Sequence, residues 1–343
     1  RPPFRGWEWR FAHRLLHAEQ LVLRADGTKL TAAVMSGDGS RIASAAADGT
    51  VRVWDAATGA EVVRLGTPGP PLLAVAFDVA GKRVAAGGED GVIRVWDAAA
   101  GIEATRIRWQ GPVTAVGFSP DGTRLLAAGG DPSARVWDAA TGAEVLGGGK
   151  RVAGAGLAAA FAPDGRRIAT ANTDGSVRLC DAATGAEGAV LRGHLVATAV
   201  AFSPDGAAVA SAGVEGAVRV WDVAAEKPLA TLRAAPTPHH SVAFGPGGTW
   251  VATAGSDGTA RVWDVASGRE TRAVRADRRR LRSVAASSDG GRLVTVDDDG
   301  TARVWDLTAP PPEVELSSRD RGLTFLAASP AVDRVLMASA TGG

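Results

Sequence analysis

Asp48-Gly49-Thr50-Val51-Arg52-Val53-Trp54-Asp55 is the stretch that decides how this chain is read. An Asp-Gly pair opens it, apolar side chains alternate through it, and Trp-Asp closes it. Asp-Gly ahead of a period-2 run signals a hairpin, because Gly accepts the positive φ that a tight turn demands. The stretch returns as Asp90–Asp97, Asp131–Asp138, Asp174–Asp181, Glu215–Asp222, Asp257–Asp264 and Asp299–Asp306. Its closing Trp position, at 54, 96, 137, 180, 221, 263 and 305, advances by 42, 41, 43, 41, 42 and 42 residues, with Cys180 in the fourth place. A period this regular settles the architecture ahead of any local reading.

Outward from the motif, one repeat reads as four strands. Glu61 to Leu65 is a short outer strand, Leu73 to Phe77 an inner one, and Asp78 to Gly81 a turn. Arg83 to Gly87 follows, and Asp90-Gly91 turns into Ile93 to Trp96. Ser119-Pro120-Asp121-Gly122 and Ser203-Pro204-Asp205-Gly206 use Pro to preset φ and Gly to finish a turn. Ala85-Ala86-Gly87 and Ala127-Ala128-Gly129 are poor strand formers. Their small side chains are expected where strands crowd toward a central channel. Arg lies two residues before each closing position, at 52, 94, 135, 178, 219, 261 and 303. Residues two apart share a strand face, so these guanidiniums are expected to stack on the indoles at the blade edge.

The seven registered copies resemble the WD-repeat β-propeller family over residues 19 to 306, with a weaker echo to 343. The resemblance implies an all-β, seven-bladed propeller of four-stranded antiparallel blades. It makes Trp54, Trp96, Trp137, Trp221, Trp263, Trp305, Asp48, Asp90, Asp174, Asp257 and Asp299 structural. Two closures of the ring are open. In one, Leu21 to Leu23 pairs with the seventh blade, as in the family; in the other, Glu313 to Leu316 fills that place and the ring needs an eighth blade. Residues 307–343 read as an incomplete eighth repeat, with strands at Leu323 to Ala328 and Arg334 to Ser339. Residues 1–18 read as a short amphipathic helix with Trp7, Phe11 and Leu15 on one face.

Gly193-His194 resembles the Gly-His pair that family members place before an inner strand. The resemblance implies a buried network of His194, Ser211, Glu215 and Trp221, with Glu where the family has Asp. The other six repeats lack this His, so the ring is expected to depend on packing, turns and strand pairing. The stretch Arg5-Gly6-Trp7-Glu8-Trp9-Arg10, with the Ala- and Arg-rich repeats, resembles C-terminal propeller regions of large bacterial proteins. Some of those carry a serine/threonine kinase upstream, sometimes with a membrane anchor between.

Charge and composition narrow the function. With 38 basic and 37 acidic residues, the chain offers no general attraction to nucleic acid or anionic lipid. No apolar run reaches the roughly 18 to 20 residues of a membrane helix. Cys180, the single cysteine, reads as a buried, inert thiol. Beginning at Arg1 and stopping inside a repeat, the sequence reads as a piece of a longer protein, and a cytoplasmic location is expected. None of the five histidines sits in a nucleophile elbow. Gly147-Gly148-Gly149-Lys150 fails as a phosphate loop, because Glu144 stands where Gly is needed and Arg151 where Ser or Thr should be. No cofactor is expected, and the residues make no closed zinc set.

What remains is surface. Arg278-Arg279-Arg280, with Arg275 and Arg282 near, precedes the seventh blade's inner strand, and Asp297-Asp298-Asp299 forms the same blade's turn. Two readings stand: a solvated loop whose arginines pair with those aspartates, or a basic patch for an acidic or phosphorylated peptide. His239 and His240 follow Pro236-Thr237-Pro238 and read as an exposed loop pair, a partner contact or a weak metal grip. Glu89 adds to a mixed top surface. The expectation is a non-catalytic scaffold that binds protein or peptide partners on the top face through Arg278, Arg279, Arg280, Asp298, His239, His240 and Glu89. A purely architectural spacer and a central-channel enzyme are the alternatives.

Overall fold

The computed structural model describes residues 19–130, 133–145, 156–233, 237–275 and 279–308, and the backbone of 323–328 and 335–339. The expected helix over 1–18, the loop at 147–151, Asp131, Arg278 and the strand expected at 313–316 lie outside the described residues.

Between Glu19 and Asp306, seven antiparallel sheets follow one another in sequence, and together they make the blades of a propeller. Blade 1 consists of Leu30–Met35, Arg41–Ala46, Val51–Asp55 and Glu61–Leu65, running from the axis outward. Blades 2, 4, 5 and 6 repeat this order. Among the described residues, blade 3 has three strands, Val113–Phe118, Arg124–Gly129 and Arg135–Asp138, with a bridge from Trp137 to Glu144 at its outer side. Blade 7 takes Leu281–Ala286, Arg292–Asp297 and Ala302–Asp306 and borrows its fourth strand from the start of the chain. Glu19–Leu23 pairs antiparallel with Ala302–Asp306, setting Leu21 opposite Val304 and Leu23 opposite Ala302. The first of the two closures is therefore the one that forms. It removes the exposed strand edges that an open sheet would present.

The core lies between blades. Each repeat tryptophan packs on the blade before it. Trp54 shares a buried cluster with Val294 and Val304 of blade 7, and Trp96 shares one with Ala43 and Val51 of blade 1. Cys180 occupies the same place against Leu126 and Val136 of blade 3 and is buried. The small residues have a different purpose from the one expected. Ala85, Ala86 and Gly87 sit on the second strand of blade 2 and face neighbouring blades, not the channel. A Cβ on Gly87 would stand 2.5 Å from Val113 Cγ1 of blade 3, so the Val113 side chain already fills the space a larger residue would need.

At one end of the ring, arginines staple neighbouring blades. Arg83 Nη2 donates to the Gly122 carbonyl at 2.6 Å, Arg124 to Gly165 at 2.7 Å, Arg167 to Gly206 at 3.2 Å and Arg292 to Gly39 at 3.0 Å. Each crosses from the second strand of one blade to the first turn of the next. Arg83 and Arg124 also lie over Phe118 and Phe161, 5.1 and 5.3 Å from the ring centroids. Sequence reasoning missed this girdle, although the Arg recurs at one register position.

Leu323–Ala328 and Val335–Ser339 pair antiparallel, with a register shift between Leu323 and Phe325. The first two strands of blade 1 show the same shift between Leu30 and Ala32.

Candidate partner-binding face

The opposite end of the ring carries the loops that enter each first strand and the turns between second and third strands. In most blades a backbone bond ties the two together: Glu89 N to Pro71 O at 3.0 Å, Val214 N to Val196 O at 3.2 Å, Ser256 N to Pro238 O at 2.8 Å and Asp298 N to Arg280 O at 3.0 Å. Side chains on these loops vary from blade to blade, while the backbone beneath them is fixed. Fixed backbone with variable side chains is what a recognition surface requires.

Blade 7 gathers charge at this rim. Arg279 pairs with Asp299, and Arg282 Nε lies 2.5 Å from Asp298 Oδ1. Arg280 Nε stands 3.7 Å from the other oxygen of Asp298. All three arginines are more than half exposed, so these pairs are surface ion pairs of about 0–1 kcal/mol. Arg280 and Arg282 also line a funnel of about 310 Å³ with Thr31, Leu73, Thr114 and His240. Those residues come from five blades, which places the funnel on the ring axis. Glu89 is exposed on the blade 2 turn.

The two adjacent histidines are neither loop residues nor a matched pair. They begin the first strand of blade 6, where strand alternation sends them in different directions. His239 is fully buried, neither ring nitrogen meets a protein partner, and burial pushes its pKa down to about 4. It occupies the register position of Leu30, Leu72 and Leu281, so it is core and is withdrawn from the contact surface. His240 is half-buried at the funnel, with Nε2 2.7 Å from the Ser256 hydroxyl. Burial and then Arg280 hold it below the ordinary histidine range. Among the described residues no cluster of His, Cys, Asp and Glu is arranged to hold a metal ion.

Blade 5 contains the network that its Gly-His pair implied. His194 Nδ1 is 2.6 Å from Glu215 Oε1, His194 Nε2 is 2.7 Å from Ser211 Oγ, and Trp221 Nε1 donates to Ser211 Oγ at 2.8 Å. The acceptor carboxylate assigns the ring proton to Nδ1, so Nε2 accepts from the serine. Burial, partly opposed by Glu215, lowers the His194 pKa and keeps the ring neutral. Glu replaces Asp without breaking the chain of bonds. The order Ser–His–Glu matches that of a hydrolytic triad, but Ser211 is fully buried and its oxygen is already bonded to Trp221. A nucleophile needs an approach for substrate, and this one has none.

Glu215 also pairs with Arg219 at 2.9 Å, and in other blades the turn carboxylate pairs with the equivalent arginine. Asp48, Asp90, Asp174 and Asp257 pair with Arg52, Arg94, Arg178 and Arg261 at 2.5–2.9 Å. The expected stacking of these arginines on their own indoles does not occur. The indole turns into the core between blades while the guanidinium runs along the strand to the turn. Arg135 does lie over an indole, at 5.5 Å, but it is that of Trp109 in the preceding blade. In blade 7 the structural carboxylate is Asp297, which pairs with the buried Arg303, and not Asp299, which faces Arg279. Trp54, Trp221, Trp263 and Trp305 donate to Ser44, Ser211, Thr253 and Thr295 at 2.8–3.1 Å.

A family model described as IFT122 first beta-propeller matches residues 69–306, well over half of the chain. A second, described as WD domain, G-beta repeat, matches residues 19–55. No curated protein matches the chain.

Proposed function

The chain belongs to the WD-repeat β-propeller family, and from that premise we propose that it is a non-catalytic scaffold whose rim at blade 7 binds a protein or peptide partner. Propellers of this family generally serve protein interaction. Arg279 and Arg280 anchor an acidic or phosphorylated group of the partner, Asp298 and His240 shape the surface beside them, and Glu89 contributes from blade 2. Arg278 belongs to the same basic run of sequence. The observation that carries this reading is the run of three exposed arginines at the blade 7 rim, two of which, Arg280 and Arg282, line the axial funnel. Arg offers paired donors to carboxylate and phosphate, which suits such a partner. We also place the ring within a larger, multidomain signalling protein, on its likeness to kinase-linked propeller regions.

Capture from a source-like lysate tests the reading. The parent is compared with an Arg279→Glu/Arg280→Glu variant of equal melting temperature. A partner held by the parent and lost by the variant supports the proposal. Equal capture by both moves the site elsewhere on the ring, and capture by neither favours the architectural alternative.

A further inference from the structure

The arginines of blade 7 are not equally engaged. Arg279 has Asp299 to itself. Arg280 and Arg282 share one carboxylate, that of Asp298, and only Arg282 reaches it at hydrogen-bond distance. The remaining 3.7 Å to Arg280 leaves that guanidinium with donors to spare. The Asp298 backbone is held by its own N–H, bonded to the Arg280 carbonyl at 3.0 Å, so only its side chain can turn aside. Both arginines open into the axial funnel, whose other walls, Thr31, Leu73, Thr114 and His240, bring no carboxylate. The Thr31 and Thr114 hydroxyls are already bonded to the backbone of Leu72 and Leu157, at 2.6 and 3.0 Å. His240 is tied to Ser256. Among the described residues, the charged lining of the funnel is thus two guanidiniums facing one carboxylate.

We infer that Asp298 is a built-in competitor: an acidic side chain of an extended partner peptide enters the funnel, binds Arg280 and Arg282 together, and displaces the Asp298 carboxylate. The inference rests on the scaffold reading above and adds a gate to it. Charge complementarity selects the occupant. A second guanidinium-bound carboxylate restores balance at the funnel, whereas a basic side chain would add to an existing excess. The exposed setting makes each contact weak and sensitive to salt. Affinity therefore comes from two arginines acting on one group.

The test is a titration of the whole chain with a fluorescent blocked peptide of four glutamates at low salt, and separately with inorganic phosphate as competitor. Asp298→Asn removes the competitor and should tighten peptide binding by about fivefold. Arg282→Glu should abolish it, and Arg166→Glu, the same charge change on an exposed turn at the other end of the ring, should leave it unchanged. Displacement of the peptide by millimolar phosphate would assign the site to phosphorylated groups as well; no displacement would restrict it to carboxylates within a peptide. Unchanged or weaker binding by Asp298→Asn, with its melting temperature preserved, overturns the gate. That result leaves capture of a partner by the parent untouched, so the gate and the scaffold reading fail separately.

Discussion

His194 Nδ1 lies 2.6 Å from Glu215 Oε1, and directly above that contact Gly213 leaves no room for a side chain. A Cβ on Gly213 would stand 2.4 Å from both His194 Nδ1 and Glu215 Oε2. Gly213→Ala therefore forces the network apart and leaves buried polar groups unsatisfied, at a cost of about 1–3 kcal/mol. Thermal unfolding measures it, and a His194→Leu/Gly213→Ala double variant should lose less than the sum of the two single changes. Additive losses would mean that the two residues do not act through one contact.

Closure of the ring depends on a strand at the far end of the sequence. Leu23 is buried in a cluster with Trp54, Val294 and Val304, opposite Ala302. Leu23→Ala should destabilise by about 2–5 kcal/mol. Amide exchange should quicken first at Ala302–Asp306, the strand it covers, and uniform exchange across all blades would contradict the closure.

The arginine girdle predicts a directional effect. Arg124 donates to Gly165 O and Ala182 O of the next blade and lies over Phe161. Arg124→Ala should cost about 1–3 kcal/mol, whereas Arg166→Ala, an exposed neighbour on the adjoining turn, should stay within about 0.5 kcal/mol. Denaturant melts of the pair decide it.

Acid should weaken blade 6. The folded pKa of His239 is pushed down to about 4 from an ordinary 6.5 by burial, then by Arg261. The folded state thus binds fewer protons than the unfolded one between those values. Stability is full above pH 6.5 and falls as pH drops toward 4, by roughly 3 kcal/mol at ~1.4 kcal/mol per pKa unit. His239→Leu, the residue at this position in blades 1, 2 and 7, should flatten that fall. An unchanged pH profile would show that the ring is not the titrating group.

Periodicity carried most of the fold into plain view. Seven copies of the motif at near-constant spacing, five of them opening on Asp-Gly, set strand order and blade count, and Leu21 to Leu23 was one of two marked candidates for closure. Finer features depended on directions that spacing does not encode. Arg52 and Trp54 share a strand face, yet one side chain runs to the turn and the other against the preceding blade. Asp297, Asp298 and Asp299 are consecutive acids, so the sequence alone did not show which would meet Arg303. His239 followed a Pro-Thr-Pro stretch that reads as loop, while strand pairing with Gly255 drew it into the core. The pairing of the blade 7 arginines with Asp298 and Asp299 was legible, because both runs flank the same strand pair. The Arg83, Arg124, Arg167 and Arg292 staples had a signal that was passed over: Arg recurs as the first residue after the inner turn.

Amide hydrogen exchange of the chain, with and without a captured partner, tests the central claim most directly. The account predicts protection gathered at residues 279–282 and 298–300 and at the funnel residues Leu73 and His240, with the outer strands Glu61–Leu65 and Lys227–Arg233 unchanged. Protection confined to those outer strands, or to the arginine-stapled turns at the other end of the ring, would contradict it.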